Sequence, residues 1–236
     1  MRILAVDAST AVAGVAVWED GVILAEGSLC LGLTHSQKLM PLVDNMLALA
    51  DTPVGTMDAV ATIVGPGSFT GLRIGVATAM GLAQTLGKPA VGVSTLEALA
   101  ANIPFFGGVT VPLLDARRSQ VYAGLFRWVD GWPVLVGEER ALPLDQLLDE
   151  LESAKVQALF LGDGVPVHRE AIQARLQGQA LFAPPHALMQ RAAACAWLGA
   201  EKLRTGGGQD PRTLSPRYIR LPQAEQDYIQ KHGVAP

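Results

Sequence analysis

The chain has 236 residues, of which 50% are hydrophobic and 17% are charged, and its net charge is −4 at pH 7. This length and apolar content suffice for one large domain or two smaller ones, each with its own core. A protein that grips nucleic acid by itself usually has a basic excess, so the composition disfavours direct and dominant RNA or DNA binding. A carboxylate at Asp7 precedes any signal-peptide core, and the longest uncharged stretch, 98–114, is broken by proline and glycine. We therefore expect a cytoplasmic protein without a membrane segment.

The first part of the chain predicts a hairpin followed by alternating helices and strands. Asp20-Gly21 lies between two apolar runs, which is a strong hairpin signal because glycine tolerates the positive φ of a type I′ turn. Further on, Gly65-Pro66-Gly67 separates a predicted strand from a predicted helix. The predicted elements are strands at 2–7, 12–18, 22–29, 59–64 and 90–93, and helices at 35–50, 71–86 and 95–101.

The same order of elements recurs further along the chain. Asp115-Ala116 ends a predicted strand as Asp7-Ala8 ends the first, and Asp130-Gly131 repeats the hairpin turn, at offsets of 108 to 110 residues. We infer two copies of a β-β-β-α-β-α unit. The later elements are strands at 109–115, 120–128, 133–136 and 158–161, and helices at 144–151, 166–176 and 187–204.

The segment 102–108, rich in proline and glycine, predicts a boundary between two lobes. We expect an N-terminal lobe at 1–102, which carries the partner-binding helices described below, and a C-terminal lobe at 103–236. The last helix and the tail can then pack back on the N-terminal lobe. Three glycines at 206–208 give a helix stop, and the polar tail after them is expected to lie over the body, with disorder toward Pro236.

Duplicated β-β-β-α-β-α lobes are the plan of the actin-like superfold (ASKHA, ribonuclease H-like), an α/β architecture that places ATP between its lobes and a carboxylate after each first strand. Asp7 and Asp115 hold these two places. Asp7 with Ser9 and Thr10 could contact a nucleotide phosphate or its magnesium, but capping of the strand end is favoured. Arg117 and the adjacent Arg118 follow Asp115 and could bind phosphate or form a pair across an interface, although most adjacent arginines are solvated surface residues. Fold alone does not fix function.

The turn at 65–71 resembles a phosphate-binding loop in its glycines only. It lacks the lysine of G-x-x-x-x-G-K-[ST], so it is not a P-loop. Its backbone could form an anion nest before a helix, or it could be a tight turn that needs glycine dihedrals. Both interpretations stay open. The four histidines show no zinc-binding spacing, so we predict no metal site.

The helix predicted at 71–86 carries no charge after Arg73 and contains Gly75 and Gly81. Each interior glycine costs about 1 kcal/mol relative to alanine, so another interaction must offset that cost. The small residues at 71, 75, 79 and 83 are spaced by four and form one smooth stripe, which would let another helix approach closely.

The helix predicted at 35–50 is the natural neighbour, with a wide apolar arc and Pro41 expected to kink it or to confine its regular part. Two such helices side by side expose apolar surface unless a partner docks. The alternative is that both helices are simply core, and we favour an interface. The predicted interface residues are Leu39, Met40, Val43, Met46, Leu47, Leu72, Arg73, Gly75, Val76, Ala79, Leu82 and Ala83.

Several of these segments resemble one family. VDAST near the start, GPGSFTGLRIG at 65–75, GVSTLEALA and LLDARRSQVYAG are similar to the TsaB (YeaZ) family, and the similarity runs along most of the chain. The resemblance implies an actin-like fold and a non-catalytic role in forming N6-threonylcarbamoyladenosine at position 37 of tRNA. Family members are inactive paralogues of the catalytic subunit TsaD. They bind TsaD, or a second copy of themselves as a homodimer, through the two N-terminal-lobe helices.

The resemblance also implies partners and cofactors. The ATPase TsaE completes the assembly, and tRNA is reached indirectly through the complex. The chain itself requires no cofactor, while ATP or ADP could bind at the cleft or at the complex interface. The remaining alternative is an ATP-using enzyme, such as a small kinase or ATPase. If the partner role is correct, Gly75→Arg should abolish association while the monomer stays folded.

Overall fold

The computed structural model describes residues 1–30 and 35–220, without the side chain of His35, and contains two five-stranded mixed sheets. The strands are β1 (Arg2–Asp7), β2 (Val12–Glu19), β3 (Val22–Cys30), β4 (Ala59–Gly65), β5 (Ala90–Ser94), β6 (Val109–Asp115), β7 (Gln120–Val129), β8 (Trp132–Pro143), β9 (Ala158–Leu161) and β10 (Ala180–Phe182). The α-helices are α1 (His35–Leu49), α2 (Phe69–Leu86), α3 (Thr95–Ala100), α4 (Leu144–Ala154), α5 (Gly164–Leu176) and α6 (Ala192–Arg204).

Both sheets have the same strand order and the same strand directions. The first runs β3-β2-β1-β4-β5, with antiparallel pairing on the β2 side of β1 and parallel pairing on the β4 side. The second runs β8-β7-β6-β9-β10 with the same pattern around β6. This repetition confirms the predicted duplicated β-β-β-α-β-α plan and the actin-like α/β fold.

Three element predictions need correction. The strand β10 was not predicted, because only three residues of it pair with β9 and they offer little pattern. It stands where β5 stands in the first sheet. The helix α6 begins at Ala192 rather than at residue 187, since Pro185–Ala187 forms a separate 3-10 turn. The strand β8 continues to Pro143, beyond the predicted 136, through a polar segment that has no apolar run.

The first sheet is covered on both faces, as the alternation of side chains along β1 requires. Leu4 and Val6 face a core shared with α1 and α2. Ile3 and Ala5 point to the opposite face, into a core shared with α6. The sequence of β1 is therefore apolar at every position from residue 3 to residue 6.

The second sheet packs on α4 and α5 through one face, and α3 lies against the other. Leu96 and Leu99 of α3 join Leu114 and Phe126 of the second sheet in one cluster. The short helix α3 thus lies between the sheets, and α6 from the end of the chain covers the first sheet. The division at residues 102 and 103 stays a prediction, and the contacts of both helices cross it.

The tail after α6 runs along the first lobe. Gln209 pairs with Ala90 at the edge of the first sheet, and Leu214 is buried against the core under α2. The prediction of disorder toward Pro236 concerns residues outside the described part of the chain. Across the described residues, no helix combines the length and the apolar character needed to span a bilayer.

Candidate functional site

The small-residue stripe of α2 faces the protein's own sheet. A Cβ atom built on Gly71 would overlap the carbonyl oxygen of Ala8, and one built on Gly75 would lie 3.4 Å from the backbone nitrogen of Ala8. Ala79 and Ala83 continue this stripe and are fully buried. The small residues therefore let α2 approach the end of β1, which corrects the expectation that they receive a partner helix.

Eight of the twelve predicted interface residues are buried within the chain. Gly75→Arg would force a long charged side chain into the contact with Ala8, so we now expect it to disturb the fold, contrary to the sequence prediction. Leu47 and Leu82 are half-buried, and Met40 and Arg73 are exposed. The eight buried residues are Leu39, Val43, Met46, Leu72, Gly75, Val76, Ala79 and Ala83.

The exposed side of α2 lies on a different stripe, offset by two residues from the buried one. Arg73, Ala77 and Gly81 follow the same spacing of four and are exposed. On α1, which packs beside α2, Met40 is 41% exposed and Leu49 is 78% exposed. We call the exposed residues of α1 and α2 the outer helix face. The sequence shows a spacing of four for both the buried stripe and the exposed stripe of α2. Only the packing of the helix on the sheet shows which of them is exposed.

An aromatic cluster that the sequence did not predict lies at the start of this face. The Arg73 guanidinium carbon lies 3.8 Å from the centre of the Phe69 ring, and Arg73 Nε donates a hydrogen bond of 3.1 Å to Tyr218 Oη. The Phe69 and Tyr218 rings are 5.1 Å apart between centroids. The tail residue Tyr218 thus contributes to the same surface as α2, which local sequence patterns could not reveal.

The corresponding helices of the second lobe have a different surface. The exposed residues of α4 and α5 include six charged side chains, and some of them form ion pairs between the helices. Arg175 Nε, for example, lies 2.8 Å from Glu152 Oε2, and Arg175 also pairs with Asp149. After Arg73, the exposed side of α2 has no charged residue at all. The outer helix face therefore exposes fewer charged side chains than its duplicate, namely Lys38, Asp44 and Arg73 against six.

The carboxylate after β1 is enclosed by protein. Asp7, Ser9 and Thr10 are each less than 5% exposed. Asp7 Oδ1 accepts a 2.8 Å hydrogen bond from the Ser9 backbone nitrogen, and Gln190 donates from its amide to Thr10 Oγ1. The Ser9 hydroxyl is buried without a hydrogen-bond partner among the described residues. The structure thus places Asp7, Ser9 and Thr10 together, beneath a cover that includes Gln190.

The glycine turn before α2 is bonded within the chain. The Ser68 nitrogen donates a 2.7 Å hydrogen bond to the Ser9 carbonyl oxygen, and the Ser68 hydroxyl accepts from Gly71. A Cβ atom on Gly65 or Gly67 would overlap the carbonyl of Arg217 or of Ser9. The turn is therefore packed against protein at both of these glycines. The tight-turn interpretation is the one that these contacts favour.

The carboxylate after β6 is in a more open environment. Asp115 is exposed, its Oδ1 accepts a 3.0 Å hydrogen bond from the Arg117 backbone nitrogen, and it lies 3.6 Å from His168 Nε2. Asp163 accepts from the Asp115 nitrogen at 3.1 Å. Burial raises the pKa of Asp163, and the nearby Asp115 charge raises it further. Among the described residues, no group of three or more His, Cys, Asp or Glu side chains could hold a metal ion.

The two lobes and the tail meet at Glu139. Its carboxylate accepts a hydrogen bond from Ser94 of the first lobe and one of 2.6 Å from the Arg217 guanidinium. The Arg217 nitrogen in turn donates a 2.7 Å hydrogen bond to the Val64 carbonyl oxygen. We call these contacts the Glu139 bridge. The side chain of Glu139 is 3% exposed, so the bridge is largely shielded from solvent.

Two lobes with the same strand order and a covered turn at the end of β1 define a protein of the actin-like fold. A model of the family described as TsaD: tRNA N6-adenosine threonylcarbamoyltransferase matches residues 32–228. The tRNA threonylcarbamoyladenosine biosynthesis protein TsaB of Bacillus subtilis is 35% identical over 98% of this chain and 99% of its own length. The chain belongs to the TsaB (YeaZ) family.

Solved structures agree with this assignment. YeaZ from Pseudomonas aeruginosa superposes with a TM-score of 0.78 at 28% identity, covering 92% of this chain and 99% of its own. The ethanolamine utilization protein EutJ from Carboxydothermus hydrogenoformans superposes with a TM-score of 0.55 at 13% identity, over 84% of this chain and 90% of its own. The second similarity concerns the fold alone. A role in the biosynthesis of threonylcarbamoyladenosine in tRNA follows from the family.

Proposed function

We propose that this chain is a non-catalytic partner subunit that binds the catalytic subunit TsaD through the outer helix face. The observation that carries the proposal is the contrast between two equivalent helix pairs. The exposed residues of α4 and α5 include six charged side chains and interhelical ion pairs, whereas those of α1 and α2 include only Lys38, Asp44 and Arg73. After Arg73, the exposed residues of α2 are all uncharged. Exposed apolar side chains such as Leu49 and Met40 are then covered in the assembly.

The remaining parts of the proposal concern the assembly. TsaE joins the chain and TsaD, and the assembly forms N6-threonylcarbamoyladenosine at position 37 of tRNA in the cytoplasm. Without TsaD, the same outer helix face supports a homodimer, since a face that binds a related lobe can also bind its own copy. ATP or ADP binds at the interface of the complex rather than at the glycine turn. Support for this placement is the packing of that turn against Ser9 and Arg217.

The alternative function, an ATP-using enzyme, has less support. Phosphates are usually held by free backbone donors in a glycine-rich turn before a helix. Here the Ser68 nitrogen is bonded to Ser9, and the turn after β1 is almost completely buried. These contacts favour a non-catalytic binding subunit rather than an enzyme that hydrolyses or transfers phosphate from ATP.

The test is a charge placed on the outer helix face with a matched control. Ala77 is exposed on α2, and Ala171 is exposed on α5 in the equivalent helix of the second lobe. Ala77→Arg should lower co-elution with TsaD in size-exclusion chromatography by at least about tenfold in affinity, because an arginine would be desolvated at the interface. Threonylcarbamoyladenosine formation in a reconstituted assembly should fall in parallel, while Ala171→Arg should change neither.

Both substitutions are on exposed helix positions, so thermal unfolding should show that both variants remain folded. Normal association of Ala77→Arg with TsaD would contradict the outer helix face as the interface. Product formation that does not require this chain at all would contradict the proposed role in the assembly.

A further inference from the structure

The turn between β6 and β7 holds three consecutive residues in the left-handed region. The φ angles of Arg117, Arg118 and Ser119 are 63°, 52° and 57°, and none of these residues is glycine or asparagine. Residues other than glycine rarely adopt this backbone conformation, and several consecutive residues do so even more rarely. We call residues 116–119 the arginine turn.

Backbone hydrogen bonds keep the arginine turn in this conformation. The Ala116 nitrogen donates to the Gln120 carbonyl oxygen at 3.0 Å, and the Gln120 nitrogen donates to the Arg117 carbonyl oxygen at 3.0 Å. The Leu144 nitrogen, at the start of α4, donates to the Ser119 carbonyl oxygen at 3.2 Å. The two arginines are therefore presented on a fixed backbone, and both are exposed.

The charges of the arginine turn are not neutralised within the described residues. Seven of the described arginines form ion pairs with carboxylates, whereas Arg117 and Arg118 form none, as is also true of Arg73, Arg127 and Arg169. The nearby Asp115 carboxylate accepts from the Arg117 backbone nitrogen and not from its guanidinium. A third arginine, Arg220, donates from Nη1 to the Ala116 carbonyl oxygen at 3.4 Å. Arg117 and Arg118, two guanidinium groups without an ion pair among the described residues, thus lie side by side on a chain with a net charge of −4.

We propose that Arg117 and Arg118 bind backbone phosphates of the tRNA on which the assembly acts. The inference rests on the proposed function, because it takes tRNA as the substrate of the complex. Guanidinium groups suit phosphate because they can donate two parallel hydrogen bonds to it. Two neighbouring arginines can contact one or two phosphates, but not the backbone of many nucleotides. Such a small contact agrees with the acidic composition, which disfavours dominant RNA binding. The arginine turn belongs to the second sheet, whereas the proposed contact with TsaD lies on the first lobe, so tRNA is the occupant that we assign.

The test compares the double variant Arg117→Gln/Arg118→Gln with Arg127→Gln. Arg127 is exposed, forms no ion pair among the described residues, and lies near the other end of β7, about 23 Å from Gln120 at 3.3 Å per residue. The assembly is reconstituted with each variant, with TsaD, TsaE and unmodified tRNA transcript. The KM for tRNA is then measured between about 50 and 200 mM salt.

The double variant should raise the KM for tRNA by about three- to tenfold, with kcat largely retained. The slope of log affinity against log salt should fall by about 1.5, since each lost phosphate contact removes about 0.7 to 0.9. The control Arg127→Gln should leave both values unchanged. Direct binding of labelled tRNA to the chain alone at low salt should weaken in the same way.

The remaining outcomes overturn the inference. An unchanged KM and salt slope with an active assembly would refute it and leave the proposed function standing. Weakened association with TsaD at unchanged tRNA binding would assign the arginines to a protein contact, and a raised KM for ATP alone would assign them to nucleotide. If the wild-type chain supports no modification, the proposed function fails, and the direct binding measurement still decides whether the arginine turn binds RNA.

Discussion

The turn after β1 and the turn after β6 occupy equivalent places in the two sheets, yet they have opposite surroundings. Asp7 and the two hydroxyl residues that follow it are buried under the glycine turn and Gln190. Asp115 and the two arginines that follow it are exposed. The helices also differ, since α2 exposes only uncharged residues after Arg73, whereas α4 and α5 expose charged residues that form ion pairs.

This difference shows how one duplicated fold can serve two kinds of surface. The strand order is the same in both sheets, so the fold itself does not require a buried turn or an uncharged helix. These features depend on particular side chains and glycines added to the common plan. The first lobe has a tightly packed end of β1 and the outer helix face that we propose as the contact with TsaD. The second lobe has an open turn whose unpaired charge suits an anion.

The largest effect is expected from adding a methyl group to the tight packing of the first lobe. Gly71→Ala would place Cβ against the Ala8 carbonyl oxygen, where backbone atoms must move, so we expect a loss of about 3 kcal/mol in the free energy of unfolding. In the second lobe, Gly164 begins α5, and a Cβ there would lie 3.0 Å from the Leu113 carbonyl oxygen. Gly164→Ala should therefore cost less, about 1 to 2 kcal/mol. Urea denaturation measures both.

The control for this pair is Gly81→Ala. Gly81 is exposed in α2 and a Cβ atom there would meet no atom within 4 Å, so alanine should stabilise the helix by about 0.5 to 1 kcal/mol. Equal losses of unfolding free energy in Gly71→Ala and Gly164→Ala would contradict the inference that the first lobe is packed more tightly at this place.

A smaller effect is expected where the lobes are joined. Glu139→Ala removes the acceptor for both Ser94 and Arg217, and we expect a loss of about 1 to 2 kcal/mol because Arg217 is half exposed and remains hydrated. The exposed neighbour Glu138 provides the control, and Glu138→Ala should change the unfolding midpoint little. Two separated unfolding transitions in the Glu139 variant would show that the bridge couples the lobes. No change in stability would show that other interlobe contacts suffice.

How much of this comparison could be predicted from the sequence depends on the range of the contacts. Strand β1 and the repeat were predictable, since apolar runs and Asp-Gly turns are local signals. The burial of Gly75 was not, because a stripe of small residues suits a partner helix and the chain's own sheet equally well. The contact of Tyr218 with Phe69 and Arg73 joins residues about 145 positions apart, and no local pattern encodes it. The charge difference between α2 and α5 was present in the sequence, but its meaning required knowing which positions are exposed.

The smallest effect concerns the half-buried side chain of Asp163 in the second lobe and depends on pH. Burial raises the native pKa of Asp163, so its ionised form is less favourable in the folded state than in the unfolded chain. Its contribution to stability is therefore present below the unfolded pKa of about 3.9 and is lost as the pH rises through the native pKa.

Asp163→Asn keeps a carbonyl oxygen that can accept from the Asp115 nitrogen, so the variant should be slightly more stable than the wild type at pH 7. This advantage should shrink as the pH falls through the native pKa and should be gone below the unfolded pKa of about 3.9. Thermal unfolding at several pH values checks it, with Asp130→Asn in the exposed β7–β8 turn as the control that should show no such trend. If Asp163→Asn is less stable than the wild type at pH 7, the charge of Asp163 stabilises the folded protein. The carboxylate would then be paired more strongly than its contacts with Asp115 imply.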